Sequence, residues 1–584
     1  MYFQDEFTLS AFTETGRAEL SIEVPKQRSY KGSSPVISRS LADTPCATLG
    51  AQGVLDRLNA TLGTSHTLPT APSSSTSTAS PVPLSATSVQ DQLSLLSILE
   101  EYIQKNYDFG TAYALLRPIW KKVNPSSILD KLRRREEADK KRRQEALVGN
   151  RIVNPKLSSR RVWDLCSNRV VPSWVTCKYN PTPTSHAWVD EKDRVDVWTS
   201  INGKEWPVPI PKDTDLNLIR IEMLNLAAEI AERYKTESDD LVHYMAEYVW
   251  LDVLCLRQKE EGVPREDLRV KEWMLDVPTI GRVYRHQEVV IYLNGLGQPL
   301  RLKDSDLDSN RSWFQRAWTL QEIGSSHIIA GDTPDGPMHA QQVNGSNYET
   351  TLLTRFHEER NSVKSIELDL FAMMASMQKR VSTNPVDRVA GLAFPLWTKT
   401  VPAYYESETL EDAWTALVNA MHPWKRGELL FMYPGVGLGC KKWRPTWDQV
   451  MKELLPQSGH PLGADINLLR NDEMDEDSYY GFCIQKGYVR GLDSGLAEEQ
   501  DHCGELVVQA ADGIVHTFEI HITHGLPIPE DMYTLLNRGD KYVTNDWAVG
   551  RQLPNQRFEK VSVIATDCKD GMGGFIERCR FILL

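Results

Sequence analysis

Three clusters of polar residues set in apolar surroundings carry the chemistry this chain could perform. The first is Ser185-His186-Ala187-Trp188. The second is Trp250 to Gln258, where Asp252 follows Tyr-Val-Trp-Leu at the end of an apolar run. The third is Trp313 to Glu322, with Arg316, Trp318 and Glu322 spaced along one short segment. In open parallel sheets ligands gather at the carboxyl ends of the strands. Asp252 is placed to orient a ribose hydroxyl or a basic side chain there; equally, it could cap the next loop or pair with Arg257. Arg316 and Gln258 are able to bind phosphate or hydroxyl groups; otherwise they are solvated or structural. His186 reads as a satisfied structural histidine and Cys255 as a small buried hydrophobe. No spacing supports a Cys/His nucleophile pair. The glycines of Gly435 to Gly439 lack phosphate-loop spacing and read as a loop. His516 and His524 lie too far apart on one strand to share a metal, so no metal site is expected, and no HExxH, GxSxG or kinase signature occurs.

The elements that must position these residues follow from the apolar pattern. Ser185 to Val189 reads as a short strand. Leu216, Ile219, Met223, Leu226 and Ile230 recur at three-and-four spacing, which predicts a helix over about 213–234. Tyr248 to Leu256 and Val289 to Leu293 read as buried strands, with a helix ending at Ile280 to Tyr284 between them. Trp313 to Ile323 reads as a short helix, followed by a strand near His327 to Ala330. Apolar strands alternating with helices predict a parallel sheet covered on both faces.

The chain has 584 residues, enough for two or three domains. Residues 1–90 are rich in Ser, Thr and Pro, above all Ala71 to Ser88, and are expected to be disordered. Residues 91–155 read as a helical segment ending in the mixed-charge run Asp130 to Leu147. Its interspersed acids favour an exposed, ion-paired helix over a nucleic-acid segment. Residues 156–335 form the α/β region, 336–460 a helical extension, and 461–584 a β-rich module. The net charge of −13 argues against nucleic-acid binding. Nine dispersed cysteines without a CxxC pair argue for reduced thiols and a cytoplasmic location. No signal peptide and no apolar run of spanning length is seen, so no membrane association is expected.

Taken together and in this order, the three clusters resemble the motifs of the fungal heterokaryon-incompatibility (HET) domain: a "LSYxWG" strand, a "WIDxxCINQ" strand-loop and an "RxWxxQE" helix. Asn384 to Leu392 resembles a later segment of that family. Three departures mark a diverged member. Val189 stands where a Gly follows the first Trp, Leu256-Arg257 replaces Ile-Asn, and Pro278 interrupts the helix that follows. HET domains are similar to TIR domains, so the resemblance implies a flavodoxin/TIR-like parallel sheet flanked by helices. It also implies roles in self/non-self recognition and programmed cell death. Some TIR domains cleave NAD with a glutamate near a Trp, and Glu322 sits where that glutamate would. The resemblance thus implies Glu322 as catalytic residue of an NAD glycohydrolase, with Ser185, Trp188, Asp252, Arg316 and Trp318 binding the substrate. NAD would be a substrate, and no cofactor is expected. A carboxylate against the ribose would stabilise the oxocarbenium-like state formed as nicotinamide leaves. Alternatively Glu322 ends a helix, bonded to Arg316 or a backbone amide. The second functional reading is a non-catalytic module that signals by self-association or by binding other incompatibility proteins.

Overall fold

The computed structural model describes residues 7–10, 29–69, 89–331 and 369–584, apart from interruptions of which 234–246, 299–306, 457–465 and 494–501 are the longer. The chain divides into two compact units, Met1–His357 and Glu358–Leu584. Among the described residues no helix is long and apolar enough to cross a membrane.

The first unit is built on a six-stranded mixed sheet. Its strands are β1 (Arg161–Asp164), β2 (Arg169–Pro172), β3 (Thr182–His186), β4 (Tyr248–Leu251), β5 (Glu288–Tyr292) and β6 (Ser326–Ile329). They lie in the order β6-β5-β3-β4-β1-β2. The four strands β6, β5, β3 and β4 are parallel, whereas β1 runs antiparallel to β4 and to β2. The sheet is therefore mixed rather than wholly parallel as the apolar pattern predicts. The added hairpin joins along the outer edge of β4, where Tyr248 pairs with Asp164.

Helix α1 (Cys46–Leu62) corrects the expectation of disorder over residues 1–90. Val54, Leu55, Leu58 and Leu62 repeat at helical spacing and are buried. The Ser/Thr/Pro-rich composition of the whole stretch conceals that periodicity. The richest part, 71–88, lies outside the described residues.

Helices α2 (Val89–Gln104), α3 (Phe109–Trp120) and α4 (Ile128–Ala146) follow. Asp108 starts α3 by accepting from the Thr111 amide at 2.8 Å. These helices belong to the first unit. Arg117 of α3 reaches Asp164 of β1 at 2.8 Å and also pairs with Glu247 beside β4. Arg143 of α4 is buried, 2.8 Å from Asp139 and 3.6 Å from Asp276. The mixed-charge run is thus an ion-paired helix with one face packed inward.

After β3 the chain crosses through α5 (Leu216–Arg233) to β4, whose four residues are all buried. The expected strand to Leu256 stops at Leu251, because Asp252 opens a single helical turn, α6 (Asp252–Cys255). Helices α7 (Glu266–Asp276) and α8 (Ile280–Tyr284) lead to β5. Pro278 falls between these two helices, since its ring cannot donate to the ladder. Between β5 and β6 the expected helix is instead two 3-10 turns, Trp313–Gln315 and Trp318–Leu320. The Ser312 hydroxyl accepts from the Phe314 amide and sets the first of them.

In the second unit the helical extension and the β-rich module are joined. Helices α9 (Leu370–Gln378), α10 (Leu410–Ala420) and α11 (Pro423–Phe431) precede the strands. These are β7 (Leu468–Asn471), β8 (Glu476–Arg490), β9 (His502–Gln509), β10 (Val515–Ile522), β11 (Asp531–Asn537), β12 (Asp546–Leu553), β13 (Arg557–Ala565) and β14 (Glu577–Leu583). Strands β8, β9, β10, β13, β12 and β11 pair in that order, and β11 returns to β8, so the pairings form a ring. Val489, Leu506, Ile520, Leu535, Trp547 and Ile564 pack together in its core. Arg426 of α11 meets Asp477 of β8 at 3.0 Å, with both side chains buried. Lys560 of β13 donates to the carbonyls of Leu429 and Tyr433 at the end of α11. Desolvation drives the Lys560 ammonium down to about 7. The glycine-rich segment is a loop, as its spacing predicts. A Cβ on Gly437 would lie 2.0 Å from the Arg444 carbonyl, so only glycine fits there.

Candidate active site

The three polar clusters meet at the carboxyl ends of the parallel strands. Strand β3 lies between β4 and β5, with Thr184 opposite Leu251 and Ser185 opposite Ile291. The chain leaves β3 for β4 on one side and later returns to β5 on the other. That reversal opens a crevice beyond the strand ends. Ser185 and His186 end β3, and Asp252 follows β4 directly. Glu322 follows the second 3-10 turn.

Ser185 ties the first cluster to the third. It is buried, and its hydroxyl donates to the Glu322 carboxylate. The same oxygen accepts from the indole nitrogen of Trp313 at 2.6 Å. Glu322 thus takes a hydroxyl as partner, and the charge of Arg316 also acts on it. Asp252 ties the first cluster to the second. One of its oxygens lies 2.8 Å from His186 Nε2, and the other accepts from Trp188 Nε1 at 3.2 Å. The first oxygen also accepts from the Val253 amide at 2.7 Å. Asp252 therefore binds the amide that follows it and holds two side chains of the first cluster. Arg257 pairs instead with Glu205 at 2.7 Å and approaches Glu272 at 3.7 Å.

The charges in this cluster are shared. Burial, aided by the negative charge of Asp252, raises the Glu322 carboxyl to about 7. The Ser185 hydroxyl, His186 and Arg316 act in the opposite sense and limit the rise. Burial opposes the His186 imidazolium, but Asp252, Glu322 and the Ala187 carbonyl outweigh it and raise its pKa. Nε2 faces the Asp252 carboxylate and Nδ1 faces the Ala187 carbonyl at 3.3 Å, so both ring nitrogens face acceptors. Tyr284, buried on α8, donates to the Thr184 carbonyl at 3.1 Å. Its phenol is held well above its ordinary range by burial and by the charges of Glu322 and Asp252.

The rim reaches solvent. Trp188, Asp252, Arg316, Trp318 and Glu322 are half-buried, whereas Ser185, His186, Trp313 and Gln321 are buried. The Trp188 ring stacks on His186 with centroids 5.7 Å apart, and the Arg194 guanidinium lies over the Trp188 ring, 5.7 Å from its centroid. Trp318 sits on the turn that carries Glu322. Gln258 is a loop fastener, donating to the carbonyls of Asp252 and Leu256. Cys255 is buried and its thiol is pushed up to about 12 by desolvation, as suits a packing residue.

Four participants are not assigned to the site by the sequence. His186 reads as structural, yet its partner is Asp252 across the crevice. Nothing in the sequence gives a role in the site to Trp313, which opens the third cluster, or to Tyr284, which ends a predicted helix. Gln321 has both carboxamide atoms buried without a hydrogen-bond partner. Its only signal is its place beside Glu322. Among the described residues no group of three or more His, Cys, Asp or Glu side chains is arranged to hold a metal ion. Comparison with models of known protein families, with curated proteins and with solved structures finds no match.

Proposed function

We propose that this chain is a diverged HET-domain protein whose crevice hydrolyses the nicotinamide–ribose bond of NAD. The observation that carries the reading is the bond from Ser185 to Glu322, which joins motif blocks 137 residues apart at the carboxyl ends of parallel strands. The strand order supports a flavodoxin/TIR-like kinship. Numbering the four parallel strands in chain order gives 2-1-3-4, the doubly wound order whose crevice lies where this cluster sits.

The chemistry follows from a carboxyl held near neutrality. Nicotinamide leaves with the electron pair of the C1′–N bond, and positive charge develops on the ribose. The Glu322 carboxylate stabilises that charge. Water then forms the new C1′–O bond, and its proton passes to Glu322, whose pKa of about 7 suits a base at neutral pH. Asp252, held by His186 and Trp188, orients a ribose hydroxyl. Trp188 and Trp318 offer aromatic faces to the bases, and Arg316 offers a cation to the pyrophosphate. In a fungal cell, loss of NAD would couple such a site to growth arrest or death.

The test is nicotinamide release from NAD by the purified chain, followed chromatographically. The wild type is expected to release nicotinamide and Glu322→Gln to lose roughly two to three orders of magnitude in rate. No release by the wild type, or full release by Glu322→Gln, would sink the reading.

A further inference from the structure

The turn between α3 and α4 borders an open surface groove of about 670 Å³, far in sequence from the crevice residues, and the side chains lining the groove are exposed or half-buried. Lys122, Lys131, Arg134 and Arg135 line it, together with Asn124 and Ser127. No carboxylate lines it, although the chain as a whole carries a net charge of −13. Asp130, the acidic residue of the first turn of α4, is not part of its wall. Lys131, Arg134 and Arg135 stand at i, i+3 and i+4, so they share one helix face and span about 6 Å of rise. Lys122 faces them from just past the end of α3. Ser127 stands at the start of α4, a helix of 19 residues, so the positive end of its dipole adds to the same field.

We propose that this groove binds a small polyphosphate, such as a nucleoside di- or triphosphate. Linked phosphates place several negative charges within about one helical turn, matching the span of the four cations. The volume falls within the roughly 300–1,000 Å³ of small-molecule sites. A nucleic-acid strand needs a longer basic track that follows its backbone phosphates, and four cations gathered in one short groove do not supply one. The inference stands independently of the NAD reading, since it uses none of the crevice residues.

The experiment is calorimetric titration of the full chain with inorganic triphosphate and with ATP, at low and moderate salt. The wild type is expected to bind both saturably, more weakly as salt rises. Lys131→Ala/Arg135→Ala should weaken binding by about tenfold or more, with unchanged circular dichroism. Lys140→Ala/Lys141→Ala removes the same charge from α4 outside the groove and should leave affinity unchanged. No saturable binding by the wild type overturns the proposal. So does equal weakening by both double variants, which would reduce it to net charge. Tighter binding of a single-stranded oligonucleotide, growing with its length, would overturn the assignment to a small ligand.

Discussion

Replacing Glu322 by Gln should change how stability depends on pH, in a direction the structure fixes. The carboxyl stands at about 7 in the folded chain against an ordinary 4.5. Folding therefore favours its protonated form. Below pH 4.5 the residue is protonated in both states and nothing is lost. Between pH 4.5 and about 7 the unfolded chain ionises first, so stability falls as pH rises, and above 7 the loss is complete. The interval between the two values corresponds to a loss on the order of 3 kcal/mol. Glutamine has the same shape, stays neutral, and keeps an oxygen for the Ser185 hydroxyl. Relative to wild type, Glu322→Gln should thus gain up to about 3 kcal/mol between pH 4.5 and 8. The assay is urea unfolding of both proteins at several pH values, read as the difference between them. Groups away from the crevice, including those of the second unit, cancel in that difference, whereas His186 and Tyr284 feel the Glu322 charge and contribute to it. Parallel pH profiles for the two proteins would refute the claim that this carboxyl is raised. A larger loss in wild type at low pH would reverse its sign.

Two substitutions should move the same titration in opposite directions. Ser185→Ala removes a hydrogen bond that favours the carboxylate, and should shift the Glu322 midpoint upward in a carbon-13 NMR titration. Asp252→Asn removes a neighbouring negative charge and should shift it downward; no movement with either substitution would show that burial alone sets it. Arg117→Met leaves Asp164 and Glu247 buried without their cation and should destabilise the first unit by about 3–5 kcal/mol in urea unfolding. A loss under 1 kcal/mol, by the measure of exposed pairs, would mean that this ionic contact does not anchor α3 to the sheet. Gln321→Met replaces a buried, unpartnered carboxamide with an apolar chain of similar size. It should raise stability by about 1–3 kcal/mol, and a loss would show that Gln321 has a partner in solution.

Sequence alone located the buried strands at Tyr248 and Val289 and the order of the polar clusters, but not the hairpin of β1 and β2. Runs such as Tyr248 to Leu251 and Glu288 to Tyr292 are apolar enough to be buried on both faces, and that pattern is local. The placing of Asp252 at a strand end was legible for the same reason. Other features depended on context. Helix α1 was hidden because composition averages over a long window, whereas helix formation needs only a few apolar residues at the right spacing. The 3-10 turns at Trp313 and Trp318 arise in the connection from β5 to β6, where the Trp313 indole is brought against Ser185, overriding a helical pattern. The assignment of α2 to α4 to the first unit rests on Arg117 and Arg143, whose partners lie in β1, beside β4 and in α7. Only the tertiary structure could decide that Ser185, His186, Asp252 and Glu322 form one cluster. Their spacing along the chain carries no distance information, whereas the parallel register that stacks three strand ends side by side does. Once they are adjacent, burial and shared charge, which no residue possesses by itself, bring Glu322 to about 7.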